Sequence, residues 1–262
     1  MRSMTPKIIV ICIALVTLTA LTACAQQEFR EFFEFRYASG LPGGGWGVSP
    51  DGVPGFDGAM QLNVPVAYTP HRGAVIGYAS ASFDSSIRLE TEGPDSNGTG
   101  YIGFGMGKSG RGLFLCEMPT SNRWEPAQNA QQQVMPAGTR QPAVAVGLQD
   151  IFGNRDSVRG RPHTSESPYV VATQQFGPDE QPVFLTLGYG GGRFNDSFFG
   201  GVSWRALDEL TVIAEHDGFN ANAALAYDLS DLITEDTILF AGMVDMERAI
   251  VGVSYVYSDL AL

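Results

Sequence analysis

The feature that most constrains this chain is a series of short runs, each about ten residues long, in which apolar side chains alternate with small or polar ones. In the run RAIVGVSYVY, residues 248–257, the side chains of Val251, Val253 and Tyr255 share one face, while Gly252 and Ser254 share the other. Successive side chains of a strand point to opposite sides of its sheet. Each run therefore predicts a strand with one apolar face, and 32 glycines and 15 prolines predict many turns between such strands.

Twelve runs of this kind predict the fold class. They lie near 59–68, 74–83, 100–107, 111–118, 142–150, 168–176, 183–190, 198–205, 209–216, 221–228, 236–243 and 248–257. Strands of this length with one apolar face and aromatic residues near their ends are typical of outer-membrane barrels. We expect an all-β protein, an antiparallel up-and-down β-barrel of about 12 strands, with the apolar faces outward and a lumen of small residues.

The alternative is a soluble β-sandwich in a periplasmic lipoprotein that acts as a binding or assembly module. A sandwich also alternates, but its apolar faces point inward and its solvent faces carry many charges. Only 17% of this chain is charged, and the second face of most runs consists of Gly, Ser, Thr and Ala. This composition favours the membrane barrel.

Two long polar connections, residues 119–141 and 153–167, flank a single predicted strand. Long loops of a bacterial barrel lie on one side and short turns on the other, so two consecutive long loops would emerge at opposite ends. Either the Gln-rich stretch between 119 and 141 contains a strand, or the barrel is irregular.

The N-terminus has the organisation of a bacterial export signal. Arg2 and Lys7 precede an apolar run of about 16 residues, shorter than the roughly 20 that a spanning helix needs. The sequence Leu-Thr-Ala-Cys that ends at Cys24 resembles a lipobox, which predicts a lipidated, palmitate-bearing Cys24. Ordinary cleavage after Ala23-Cys24-Ala25 is the alternative and would remove this cysteine. The predicted divisions are 1–23, signal peptide; 24–58, tether and Gly/Pro-rich loop; and 59–262, barrel.

Charge and cysteine content limit the possible partners. The formal net charge of −12 argues against a nucleic-acid partner. After processing, Cys116 is the one thiol left that is neither lipidated nor removed, so no disulfide framework is predicted. The membrane is the predicted partner, and no cofactor is predicted.

Several motifs in a fixed order resemble the YjbH family of bacterial outer-membrane β-barrel proteins, which are associated with exopolysaccharide biosynthesis. The motifs are PAVAVGLQDIFG at 142–153, SPYVVATQQF at 167–176, LTLGYGGGRF at 185–194, FFGGVSW at 198–204 and AEHDGFNANAALAYDL at 214–229. Within them the matching positions are Gly147, Asp150, Tyr169, Gly188 to Gly192, Glu215, Asp217 and Gly218. The resemblance implies export, outer-membrane association and a link to surface polysaccharide, and it implies no catalytic residue.

The glycine-rich stretch GYGGGR, residues 188–193, does not match a dinucleotide-binding or phosphate-binding loop, because the glycine spacing differs and no helix pattern or lysine follows. Glycines that relieve crowding at a bent strand or turn account for it better. Beside it, Tyr189 and Trp204 fall on apolar faces near strand ends, where an interfacial aromatic girdle is expected.

Four charged residues form the predicted polar cluster of the lumen or its turns: Asp150, Arg193, Glu215 and Asp217. Asp150 is expected to pair inside the barrel with Arg193 or Arg205. Glu215 and Asp217 share the inner face of their strand while His216 points away, which makes a metal site improbable. The Asp217-Gly218 pair predicts a hairpin turn, so the cluster predicts a structural role and no catalytic or metal-binding residue.

Overall fold

The computed structural model describes residues 39–81, 98–119, 126–152, 166–233, 236–246 and 248–260. The predicted signal peptide and Cys24 lie outside the described residues, so export and lipidation stay predictions. Within the described ranges, no helix is long and apolar enough to cross a membrane.

The chain forms one closed antiparallel β-barrel. Two short strands, β1 (Gly47–Val48) and β2 (Pro54–Gly55), precede it and pair with each other. The barrel strands are β3 (Ala74–Ala81), β4 (Gly98–Lys108), β5 (Arg111–Pro119), β6 (Pro126–Met135), β7 (Ala143–Gln149), β8 (Ser167–Phe176), β9 (Val183–Gly190), β10 (Ser197–Leu207), β11 (Leu210–His216), β12 (Ala221–Asp228), β13 (Asp236–Val244) and β14 (Arg248–Tyr257). Each strand pairs with the next, and β14 pairs with β3 to close the sheet. The predicted 12-strand up-and-down barrel is confirmed, and the β-sandwich alternative is wrong.

One predicted strand is wrong, and one observed strand lies in the Gln-rich stretch, where a strand was one of the two alternatives. Residues 59–68 form no barrel strand; they lie inside the barrel, buried on all sides, and Pro65 in their middle cannot donate to a sheet ladder. The Gln-rich stretch supplies β6 instead. The total of twelve barrel strands is therefore correct although one member differs.

Strand β6 also removes the difficulty with the long connections. Because β6 lies between the two long connections, strands β5 and β7 end at the same end of the barrel, and β3 ends there as well. We call this end the loop end. The opposite end, the turn end, carries the connections 109–110, 136–142, 177–182, 208–209 and 229–235 together with the start of β3 and the end of β14.

We call the closed sheet of twelve strands the wall of the barrel. Its outward-facing and inward-facing residues are those that the alternation predicts. On β9, Leu185, Leu187 and Tyr189 are exposed on the outside, while Thr186 and Gly188 are buried on the inside. We expected the inner face to be lined by small residues, but small residues are only part of the lining. It also carries six large aromatic side chains, Tyr101, Phe114, Tyr169, Phe184, Phe199 and Phe240.

Glycines on the inner face make room for most of these aromatic rings. A Cβ added at Gly188 would lie 2.2 Å from the ring of Phe199, its partner across β9 and β10. Gly147 meets Tyr169 at the same distance. The rings therefore lie against the wall over a backbone without a side chain, and this explains glycine at inward positions, where it otherwise weakens a strand.

Replacement of Gly188 by alanine should destabilise the barrel by about 1–3 kcal/mol, because the new methyl group overlaps the Phe199 ring. Gly138→Ala is the matched control, since a Cβ there meets no atom closer than 3.6 Å. The denaturant midpoint in detergent micelles measures the effect, and Phe199→Leu should partly rescue Gly188→Ala. Equal midpoints for the two glycine variants would contradict this packing.

Candidate functional site

The lumen is filled by residues 39–73, which we call the plug. The plug starts at the loop end, where the carbonyl of Ser39 accepts hydrogen bonds from Gln149 (2.6 Å) and Asn129 (3.3 Å). It descends to the turn end, where the carbonyl of Asp51 accepts from Ser109 at 3.0 Å. It then returns to the loop end at residues 62–64 and descends again to enter β3. The chain thus crosses the lumen three times.

The passes of the plug pair with one another and form much of the apolar core. The amide of Gly45 donates to the carbonyl of Gln61 at 2.8 Å, and the amide of Val66 donates to Pro42 at 2.8 Å. Trp46 is fully buried with its ring centroid 5.4 Å from that of Phe114. The other large plug side chains in the core are Leu41, Met60, Leu62 and Tyr68. The plug is a packed part of the protein.

Neutral side chains of the wall bind the backbone of the plug. The amides of Met60 and Ala67 donate to the hydroxyls of Ser203 (3.1 Å) and Thr173 (2.8 Å). Three further wall side chains act in the same way. Gln131 donates to the carbonyl of Val66 at 2.9 Å, Gln133 accepts from the amide of Thr69 at 3.1 Å, and Ser254 donates to the carbonyl of Gly45 at 2.9 Å. An irregular segment cannot pair its own backbone as a sheet does, so the wall supplies the missing partners.

Glu215 holds the plug at the loop end. Its fully buried carboxylate accepts hydrogen bonds from three consecutive plug amides, those of Leu62 (2.9 Å), Asn63 (2.9 Å) and Val64 (3.4 Å). The side chain of Asn222 on β12 donates to the same carboxylate at 3.0 Å. Hydrogen bonds to a charged group contribute about 1.5–3 kcal/mol, against about 0.5–1.5 for neutral pairs. This is the strongest set of contacts between wall and plug.

Arg193 holds the same part of the plug from another direction. It lies in the 3-10 turn Gly192–Phe194 between β9 and β10, and its guanidinium donates to the carbonyl of Asn63 (2.9 Å) and to the side chain of Gln149 (3.0 Å). Burial lowers the pKa of this guanidinium to about 10, while the nearby carboxylates of Asp217 and Glu215 oppose the shift. Arg193 therefore stays charged at neutral pH.

Asp217 forms the predicted turn. Its Oδ1 accepts from the amides of Phe219 (3.1 Å) and Asn220 (2.9 Å), its Oδ2 accepts from the side chain of Asn222 (3.0 Å), and its own amide donates to the carbonyl of Asn220 (3.1 Å). The neighbouring His216 also serves this turn, since its Nδ1 accepts from the amide of Gly218 at 3.2 Å. Asp217 therefore shapes the connection beside Glu215.

Asp150 is buried at the loop end, where β7 ends, and its amide donates to Asn129 at 3.0 Å. Its predicted pairing with Arg205 is wrong, because Arg205 lies near the turn end and forms an ion pair with Asp57 of the plug. All four residues of the predicted polar cluster are buried. Among the described residues, no three His, Cys, Asp or Glu side chains lie close enough to hold a metal ion.

The outer surface of the barrel is apolar and bordered by aromatic residues. Exposed aromatic side chains near the turn end are Phe176, Tyr227, Tyr255 and Tyr257, and those near the loop end are Tyr78, Phe152, Tyr189 and Phe198. The predicted girdle position of Tyr189 is confirmed, and Trp204 faces outward near the turn end while half-buried. An apolar band between two aromatic girdles is the lipid-facing surface of an outer-membrane barrel. The protein is an outer-membrane β-barrel.

Comparison with known proteins gives only distant structural similarity. No family model matches the chain, and no curated protein matches it. The KdgM porin in complex with disordered oligogalacturonate is similar with 12% identity and a TM-score of 0.46, over 70% of this chain and 98% of the porin. The dimeric outer-membrane phospholipase OMPLA of Salmonella typhi, solved with calcium, is similar with 10% identity and a TM-score of 0.43, over 73% of this chain and 92% of the phospholipase. At these values the similarity carries no conclusion about function.

Replacement of Gln131 by leucine should loosen the plug, because it removes the partner of the Val66 carbonyl and of the Thr69 hydroxyl. Buried groups left without a partner cost about 1–3 kcal/mol each. Gln132→Leu is the matched control, because the adjacent side chain points to the outer face of the same strand. Faster hydrogen exchange of plug amides in Gln131→Leu than in Gln132→Leu is the expected result. Identical exchange in both variants would show that the wall does not hold the plug.

Proposed function

We propose that this outer-membrane barrel is a closed passage with a role in exopolysaccharide export or cell-surface organisation, and that the plug is its closing element. The observation that carries the proposal is a lumen filled by the chain's own residues 39–73 and held there mainly by hydrogen bonds to wall side chains. Passage requires displacement of the plug, so the resting state is closed. The role is non-enzymatic.

The chemistry of the wall supports a glycan as the passing molecule. Apart from the charged groups near its two ends, the wall makes its polar contacts with the plug through amides and hydroxyls, which can exchange a peptide partner for sugar hydroxyls. Aromatic rings lying against the wall offer apolar faces of the kind that line ligand sites. The sequence resemblance to polysaccharide-associated barrels supports the same class of molecule.

Conductance of the purified full-length protein in planar lipid bilayers tests the passage. The wild type should be closed in buffer and should open reversibly in moderate urea, because the plug lacks a closed hydrogen-bonded sheet and unfolds before the barrel. A difference in gel migration between unboiled and boiled samples after exposure to the same urea serves as the control for an intact barrel. A barrel that stays intact but never conducts would contradict the proposal.

Deletion of the gene should reduce surface polysaccharide, and expression of the wild-type protein in the deletion strain should restore it. Quantification of extracted surface glycan measures this effect. An unchanged amount of glycan in the deletion strain would leave the barrel without its proposed role in export.

We further propose that Cys24 is lipidated. Cys24→Ala should abolish incorporation of labelled palmitate, yet the protein should remain in the membrane fraction because the barrel itself is embedded in lipid. Palmitate labelling and fractionation after a carbonate wash measure the two effects. Undiminished labelling of Cys24→Ala would contradict lipidation at this cysteine.

A further inference from the structure

Charged contacts with the plug backbone are concentrated at one place. In the part of the chain that the structure describes, Glu215 and Arg193 are the charged wall residues that bind plug backbone atoms, and both bind the segment 62–64 at the loop end. The ion pair at the turn end joins two side chains, and the side chain of Asp57 there is 78% exposed. Exposed pairs contribute little and are screened by salt. The strongest attachment of the plug is therefore at the loop end.

Glu215 and Arg193 bind complementary atoms of one plug turn. The carboxylate receives three amide hydrogens from residues 62–64, and the guanidinium binds the carbonyl of Asn63 within the same turn. Successive amides that point at one anion form a concave site whose shape depends on that anion. Removal of either charged group leaves part of this turn without its partner.

The two groups are mounted on connections that pack directly against each other. Arg193 lies in the connection 191–196, and Glu215 lies just before the connection 217–220. A Cβ added at Gly218 would lie 2.4 Å from the carbonyl oxygen of Phe194, and the side chain of Asn195 donates to the carbonyl of Gly218 at 3.5 Å. These connections meet the outside through exposed Asn195 and Asp196.

We infer that Glu215 and Arg193 form a latch that sets how readily the plug leaves the lumen, and that the latch is operated from the loop end through the packed connections 191–196 and 217–220. This inference rests on the proposed passage and specifies its regulation. A ligand that separates the two connections moves one latch residue away from the other. The plug turn then loses one of its two charged partners.

The urea concentration at which the channel opens measures the latch. Glu215→Gln keeps the shape of the side chain but removes the charge and one acceptor. It should therefore open at a lower urea concentration and, at the wild-type opening midpoint, raise the ratio of open to closed channels about tenfold. Asp57→Asn is the control, because it removes a carboxylate charge that contacts the wall at the turn end, in the ion pair with Arg205, and leaves the latch untouched. Its opening should match that of the wild type.

Gly218→Ala tests the mechanical part without touching a charge. Gly218 has a φ of +98° and no room for a Cβ beside Phe194, so the substitution forces the two connections apart. It should lower the urea concentration at which the channel opens, as Glu215→Gln does. Gly138→Ala should leave that concentration unchanged.

The outcomes separate the latch from the passage. A wild-type barrel that never conducts in urea overturns the passage. The latch alone is overturned if the wild type opens in urea and the Glu215→Gln midpoint equals that of the wild type. It is also overturned if Asp57→Asn lowers the midpoint as much as Glu215→Gln does. Arg193→Gln is the second variant for the case in which Glu215→Gln does not fold. Failure of both to give a heat-modifiable barrel also overturns the latch, because a latch is dispensable for closure of the sheet.

Discussion

The structure depends on one constraint: an irregular peptide segment inside a closed barrel must find partners for its backbone groups. A buried N–H or C=O without a partner costs about as much as a lost hydrogen bond, and the plug has no continuous sheet of its own. The wall meets this need with side chains that reach inward from strands far apart in sequence. Glu215 and Leu62 are separated by 153 positions, and Gln131 and Val66 by 65.

This constraint explains the composition of the inner face. A small-residue lining would leave the lumen open but would give the plug no partners. The observed lining combines amides and hydroxyls with aromatic rings that lie over glycines, as Tyr169 lies over Gly147. The rings fill volume against the wall, and the polar groups between them bind the plug. In GYGGGR, Gly188 therefore makes room for an aromatic ring, and Gly192 adopts a left-handed backbone conformation (φ +57°). This agrees with the prediction that these glycines relieve crowding at a bent strand or turn.

Most of the barrel could be predicted because lipid imposes an alternating pattern on the strands that face it. Arg248–Tyr257 and Val183–Gly190 follow this pattern and were predicted with the observed bounds. Strand β6 does not follow it, since Gln128 and Gln132 face outward while Asn129 and Gln131 face inward, and neither face is apolar. Residues 59–68 resemble a strand in composition, but burial on all sides removes the need for alternation, and Pro65 was the signal against a strand. The inward position of Glu215 and the turn at Asp217 followed from local pattern. Their binding partners did not, because plug contacts form only in the folded barrel.

Everything above depends on the position of residues 39–73 inside the barrel, with Met60 against the inner face of β10. Disulfide formation between Met60→Cys and Ser203→Cys in membranes tests it most directly, since the amide of Met60 lies 3.1 Å from the Ser203 hydroxyl. Val202→Cys is the matched control. Val202 pairs with the outward-facing Leu185 on β9 and therefore faces away from the plug. The structure predicts a cross-link for position 203 and none for position 202. Equal cross-linking at both positions, or none at position 203, would contradict a plugged lumen.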